Sequence, residues 1–569
     1  MTAERITINR QTWVRCGHAI RRFAVSESGG MAKLLAAALV ALLVAINGLN
    51  VINSYVGRDF MTDIERQNMS GFVLHGMMYV GVFAVSTVVA VFYRFVEERL
   101  GLLWRLWLSR RLCGLYLNDR NYFVLREQKT VDNPDQRIAD DVRVFTTTTL
   151  SFSLMMLNGG FTILAFSGVL WSISPLLFAV AVLYAAAGSW LTIIMGRPLV
   201  WLSYRQSDRE AAFRAELVHI RENAETIALS RREGRLRNRL AHRVDELAGN
   251  ARKMIAVNRN LGFFTTGYNY LIQIIPALLV APLFIRGQAE FGVVTQASMA
   301  FSHLIGAFSL IVTQFQSISS YAATIARLSA LNEAVEGGAG AHTSNIRLVE
   351  HDAERVRYDH LTLKSPRRGR LLVHRLSLDI EKGTRVLVTS ADELGRVALF
   401  RATAGIWDAG EGTIGRPSVD HILFAPERPY LPPGTLRQAI IRAGWEERVP
   451  DSAMSEALRA LDSEVLIVRA GGFDEERDWD SIFSLREQQL VALARVLVAA
   501  PTFVFLDRIA ATLTPEDVER VLQALADRSI TYVMFGPANG AASLFDAVLD
   551  VRADGAWEWK VQRAPSPAK

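Results

Sequence analysis

The stretch "TSADELGRVALFRATAGIW", Thr389–Trp407, follows the apolar run "RVLVT" and leads into an amphipathic segment. A strand, a short loop and a helix in that order make the place where a phosphate-binding loop sits. A working loop reads G-x-x-x-x-G-K-[ST]: glycines let main-chain N–H groups close round phosphate, lysine reaches the outer phosphates, and the hydroxyl holds Mg²⁺. In this register the four positions are Ser390, Gly395, Arg396 and Val397. Val397 has no atom that ligates a metal. Arg396 keeps the charge, but its planar fork does not replace a compact ammonium. Asp392 and Glu393 add carboxylates where phosphate oxygens would lie.

The surrounding pattern is α/β. "LLVHRLSLDI", "HILFAP", "PTFVFLD" and "TYVMFG" are short apolar runs separated by helical segments, which predicts a largely parallel sheet. Upstream, the glycines and small residues of "EAVEGGAGAHTSN", Glu333–Asn345, predict a linker.

The rest of the chain has another character. Half of the 569 residues are hydrophobic, and the mean hydropathy is +0.18. Six apolar stretches, 31–53, 72–96, 150–172, 175–195, 261–286 and 292–318, come near or exceed the ~20 residues needed to cross a bilayer. This excludes a soluble enzyme. The segments 97–149 and 197–260 are long and rich in arginine, so positive-inside counting places them and both termini in the cytoplasm. Residues 1–30 are basic and aromatic, suited to a helix lying in the membrane interface. The two cysteines, Cys16 and Cys113, form no framework. The net charge of +6 fits arginines beside a membrane rather than nucleic acid.

The order of elements resembles an ATP-binding-cassette (ABC) half-transporter over nearly the whole chain. The resemblance implies a six-helix transmembrane domain of the exporter type, 31–332, then a linker, 333–345, and a P-loop-like α/β cassette, 346–560, with a tail at 561–569. Each cassette landmark departs from the family's pattern. In "FVFLDR", Asp507 is followed by Arg508 where the family carries the glutamate that polarises water, and a guanidinium accepts no proton. Glu427 stands at the glutamine of the glutamine loop. In "FSLREQQLVALARVLVAAP", Ser484 is in place but Arg486 takes a glycine position. In "VMFGPAN", Pro537 replaces the switch histidine. The expectation is lost or very weak ATP hydrolysis, no required ATP or Mg²⁺, and residual nucleotide contact limited to Gly395, Arg396 and Asp507.

"NVINSYVGRDFMTDIERQN", "NPDQRIADDVRVFTTTTL" and "HIRENAETIAL" are similar to the SbmA/BacA-type bacterial peptide transporters, their cassette relatives and the ABCD group. This implies a homodimer in a bacterial inner membrane. It would move peptides or bulky amphipathic solutes by alternating access, on the proton gradient if the cassette is silent. The alternatives are an ATP-driven transporter with atypical sites and a membrane sensor that transports nothing. Proton coupling needs titratable groups in a wet cavity. The candidates are Asp140, Asp141, Glu216, Glu222 and Glu225, the last two expected on one helix face at i, i+3. His75 and His303 read as polar packing or cavity lining.

Overall fold

The computed structural model describes residues 10–562 apart from 129–130, 132, 232, 314, 342–344, 351–353, 367–368, 446–447 and 538–543. It divides into two compact units, 1–339 and 340–569.

The first unit is helical. Its principal helices are α1 (Arg10–Val25), α2 (Gly29–Glu65), α3 (Met69–Leu117), α4 (Val142–Ile173), α5 (Pro175–Glu222), α6 (Glu233–Ile285), α7 (Phe291–Thr313) and α8 (Phe315–Ala341). Six helical segments are long and apolar enough to span a bilayer, and they carry the six apolar stretches of the sequence. A helix satisfies every main-chain donor within itself, which is what hydrocarbon demands. α2, α3, α5 and α6 run to 37, 49, 48 and 53 residues, so α3, α5 and α6 extend well beyond one membrane thickness.

Buried polar groups tie the helices together. Asn47 of α2 donates to Asn158 Oδ1 of α4 at 2.9 Å and accepts from Thr162 at 2.8 Å. Such bonds join helices where apolar side chains gain nothing over lipid tails. Tyr184 and Tyr268 stack between α5 and α6, and each hydroxyl donates to the other residue's carbonyl oxygen, at 2.7 and 3.2 Å.

The second unit holds two sheets. β1 (Asn345–Glu350), β2 (Arg355–Lys364), β3 (Leu371–Glu381) and, after β4, β5 (Gly410–Arg416) make a mostly antiparallel sheet in the order β1-β5-β2-β3. β4 (Val386–Ser390), β6 (Ile422–Ala425), β7 (Phe503–Asp507), β8 (Thr531–Phe535), β9 (Ala547–Val551) and β10 (Trp557–Val561) make the second sheet, in the order β10-β9-β4-β8-β7-β6. All its pairings are parallel except β9 with β10. β7 shows why the run reads as continuously apolar. Phe503 and Phe505 enter one core and Val504 and Leu506 the other, so both faces are covered. Three helices matter below: α9 (Glu393–Thr403), α10 (Leu485–Ala499) and α11 (Pro515–Asp527).

Two expectations change. The segment predicted as a linker is helical through Ala341, and the division into units falls inside it; its alanines and glutamates outweigh its glycines. Glu222 and Glu225 do not share one continuous helix. α5 ends at Glu222, and a short helix, Ala224–Ser230, begins after Asn223. The Asn223 side-chain amide donates to the His219 carbonyl at 2.8 Å, offering that oxygen a partner outside the regular ladder.

At the head of α7, Gly292 N donates to Thr62 Oγ1 of α2 at 3.1 Å, and a Cβ on Gly292 would run into the Arg58 carbonyl oxygen. Gly292→Ala is expected to lower the thermal midpoint of the purified protein by several degrees, the cost of a forced overlap being about 1–3 kcal/mol. Gly306→Ala on the same helix meets nothing within 4 Å and is expected to leave the midpoint unchanged. Equal midpoints for the two variants would contradict this packing.

Candidate functional site

β4, β7 and β8 end together at the carboxyl edge of the parallel sheet, where open α/β sheets place their ligands. Ser390 closes β4, Asp507 closes β7, and α9 starts between them in sequence.

The donors at the head of α9 are already engaged. Asp392 is its N-cap and accepts from Leu394 N at 3.1 Å, while Gly395 N donates to the Asp392 carbonyl at 3.1 Å. Ser390 Oγ donates to the Asp392 carbonyl at 2.7 Å. The other Asp392 oxygen is paired with Arg370. Of the amides that would turn to a phosphate, Leu394 N–H is thus held by the Asp392 carboxylate and Gly395 N–H by the Asp392 carbonyl.

Glu393, the first residue of α9, lies between two cations. It is paired with Arg508 and stands 3.7 Å from Arg396 Nη2. Arg508 also approaches Glu427, at 3.6 Å. Its main chain is left-handed, φ 47°, ψ 36°, and that conformation starts the turn after β7. Asp507 is half-buried. Burial is the largest influence on its carboxyl and pushes it above the usual carboxylate range, against Arg396 and Arg508, which pull it down. Asp507 Oδ1 and Arg396 Nε are buried without a hydrogen-bond partner.

The signature helix is also closed on itself. Ser484 caps α10 in a reciprocal box with Glu487, and Glu487 is paired with Arg469. Arg486 turns away from the glycine-like role its position implies and grips Asp517 of α11 with two bonds, 2.7 and 2.8 Å. Asp517 is 3% exposed. It also accepts from Thr514 N at 3.2 Å in the box that starts α11. Pro537 is exposed just after β8. The cassette residues singled out from sequence therefore form two clusters: Ser390, Gly395, Arg396, Glu427, Asp507 and Arg508 round the head of α9, and Ser484 with Arg486 at the head of α10. Val397 is partly buried in the first turn of α9.

The acids proposed for proton coupling are dispersed. Glu216 is buried and bound by Arg239 at 2.6 Å across α5 and α6. Asp141 is buried and gripped by Arg327 of α8 through two bonds of 2.7 Å. Asp140 is exposed beside Arg143 at 3.5 Å, and Glu222 and Glu225 are exposed. His303 stacks on Phe166 at 4.5 Å between ring centres. His75 has a partner that sequence reasoning missed: its Nδ1 lies 2.6 Å from Asp63 Oδ2 across the α2–α3 hairpin. The two are twelve residues apart, and only the tight turn between their helices brings them together. Arg486–Asp517 was missed for the same kind of reason, although Thr514-x-x-Asp517 is a recognisable capping box.

Residues 20–285 match the family model described as ABC transporter transmembrane region 2. The chain is 35% identical to an ABC transporter ATP-binding protein of Synechocystis, over 92% of this chain and 81% of that one. It is 32% identical to the chloroplastic ABC transporter D family member 2 of Arabidopsis thaliana, over 92% and 84%. It is 24% identical to the lysosomal cobalamin transporter ABCD4 of Homo sapiens, over 87% of each. The chain belongs to the ABC transporter family, as a multi-pass half-transporter of its D type.

The two acids at the cassette edges have opposite signs. Arg486, through its hydrogen bonds, holds the Asp517 carboxyl below its ordinary value. The stability this pair contributes is therefore fully present above the unfolded carboxylate pKa of about 3.9 and is lost as pH falls through the folded value. Asp517→Asn is expected to destabilise the cassette by about 1–2 kcal/mol at pH 7. The deficit should shrink below about pH 4. Asp507→Asn, which relieves a buried charge, should not destabilise. Denaturant melts of the full chain at pH 7 and pH 3.5 measure both, and a pH-independent deficit in Asp517→Asn would contradict the assignment.

Proposed function

We propose that this half-transporter moves bulky amphipathic solutes, peptide-like or of cobalamin size, by alternating access as a pair of identical chains in a bacterial inner membrane with both termini cytoplasmic. We propose also that its cassette does not turn over ATP. The observation that carries the second part is the Glu393 carboxylate seated between Arg508 and Arg396.

The residues at the head of α9 do not fit Mg²⁺-triphosphate. Leu394 N–H is already capped by Asp392, the position after Arg396 is Val397, and the base position is a guanidinium. Charge gives the same answer. Arg396, Arg401 and Arg508 face Asp507, with Glu393 and Glu427 alongside, so the cluster balances three cations against three acids with no ligand. A polyanion entering beside Glu393 and Glu427 meets like charges. Each such pair ~4 Å apart costs about 4 kcal/mol at an effective dielectric of 20.

The solute class is supported by the relative whose name gives cobalamin as its cargo. With the cassette silent, energy comes from the proton gradient, and the membrane unit offers paired groups in buried or half-buried positions: Glu216 with Arg239, Asp141 with Arg327, and His75 with Asp63. A second reading, transport driven by ATP at atypical sites, is favoured by the relatives, one of which is named an ATP-binding protein.

Proteoliposomes separate the two. Hydrolysis of Mg²⁺-ATP is expected at the protein-free background. Uptake of a labelled cobalamin or peptide probe is expected under an imposed pH gradient, unchanged by ATP or by Asp507→Asn. Turnover of order 1 s⁻¹ that disappears in Asp507→Asn, with uptake requiring ATP, would overturn the silent cassette and establish the second reading.

A further inference from the structure

Where α1 meets α3, two adjoining hollows are rich in arginine and tryptophan. The first, about 360 Å³, is lined by apolar side chains of α1, α3 and α8 together with Trp104, Trp107, Arg22, Arg111 and Glu336. The second, about 1000 Å³, is lined by Arg21, Arg22, Arg110 and Arg111, by Trp107, and by the apolar Val25, Leu103 and Leu106. Phe23 stacks on Trp104 at 5.4 Å and tilts against Trp107 at 5.5 Å, which fixes α1 on α3.

The charges are uneven. Glu336 of α8 binds Arg22 at 2.8 Å and Arg111 at 3.0 Å. These two arginines hold its carboxyl below the ordinary range even though burial, the largest influence, pushes it up. Arg21 and Arg110 have no ion pair among the described residues, and the remaining acid in the second hollow's lining is Glu27. Two cations on facing helices therefore look into one groove whose lining carries a single acid, Glu27.

The groove lies at the membrane boundary. α2 and α3 form an antiparallel hairpin. Gly29 stands 36 residues before Glu65, and Arg105 stands 36 residues after Met69, so the start of the first apolar span is level with Arg105. The packing agrees: Leu35 and Leu39 share a core with Leu100 and Trp104. Arg110 is about 7 Å further along α3 than that level, within the arginine-rich segment that follows the helix's apolar stretch at 72–96. Val25 is 76% and Leu106 43% exposed, so the groove has a greasy lip beside its basic floor. Tryptophan at that depth is what an interface favours.

We propose that this groove binds the phosphate of an acidic glycerophospholipid, with Arg21 and Arg110 as its ligands and the acyl chains leaving past Val25 and Leu106. Two arginines from different helices suit a phosphodiester, whose oxygens accept charge-assisted bonds from both sides. A zwitterionic lipid brings its own cation to the same place and is disfavoured. Glu336 competes for the same floor: it engages Arg22 and Arg111 and offsets one of their two charges, which leaves Arg21 and Arg110 as the guanidiniums without an ion pair among the described residues.

The test uses the full chain in a neutral detergent, titrated with dioleoyl phosphatidylglycerol, dioleoyl phosphatidylcholine or inorganic phosphate, and read by native mass spectrometry and thermal shift. Phosphatidylglycerol is expected to bind and raise the midpoint, and the other two are not. Arg21→Gln/Arg110→Gln should weaken phosphatidylglycerol about thirtyfold. Lys33→Gln/Arg99→Gln, a loss of the same charge outside the groove, should not. Glu336→Gln, which frees two further guanidiniums, should tighten binding severalfold, a gain that misfolding cannot imitate. Equal binding of both lipids, equal response to free phosphate, equal loss in the two double variants, or no gain in Glu336→Gln would each overturn the proposal.

Discussion

The Glu393 carboxylate, held between Arg508 and Arg396, governs what the cassette edge can do. A phosphate site is a surplus of positive charge and unsatisfied N–H groups waiting for a ligand. Here the surplus is removed from within. Asp392 takes the amide at the head of α9, Arg370 steadies Asp392, and Glu393 and Glu427 neutralise Arg508. The guanidinium after Asp507 is not a stray cation left where a base belongs. It is one member of a balanced set, and its balance depends on Glu393 and Glu427. Changing Arg508 alone would leave Glu393 and Glu427 without their cation, so the substitutions at this edge have to be understood together.

The same logic operates at the head of α10. Arg486 brings a long charged side chain where the family's signature has none, and the fold absorbs it by bonding it to Asp517, which already serves α11 as part of its cap. An acid with two duties, one local and one across helices, is costly to lose, because a buried carboxylate acceptor is satisfied by both. The cassette edge is thus more tightly cross-linked by ion pairs than a site that must open for a ligand. The cores beneath are independent of this. Phe503, Phe505 and Val504 on β7 and the apolar face of α9 pack without reference to the edge chemistry.

The sequence displayed its periodic features and concealed its pairings. Six spans were legible because hydrocarbon leaves a helix no freedom of composition, and β4, β7 and β8 because strands buried on both faces are apolar throughout. In the sheet β1-β5-β2-β3, β3 was legible as "LLVHRLSLDI" and the other strands were not, since they mix exposed with buried residues, as in "RVRYDHLTLK" of β2. The site residues were legible as deviations from a motif. The ion pairs among them were not, because Glu393 and Arg508 are 115 residues apart and no spacing rule joins them. Asn223 shows the opposite failure: a helix period ran through it smoothly, yet its main chain leaves the helical region, φ −112°, ψ 22°, and the helix is divided there.

In the membrane unit the polar groups obey a stricter rule, since a buried charge without a partner is far more expensive than a missing apolar contact. Asp141 and Glu216 are each buried against an arginine that is itself about half-exposed, Arg327 at 46% and Arg239 at 61%. Each acid is thus satisfied from within, while its arginine keeps part of its guanidinium in contact with solvent. Asp63 and His75 form a different kind of pair, a carboxylate and an imidazole joined across one tight hairpin. Pairs of the first kind tie α8 to the head of α4 and α6 to α5, and the pair of the second kind ties α2 to α3 beside their turn.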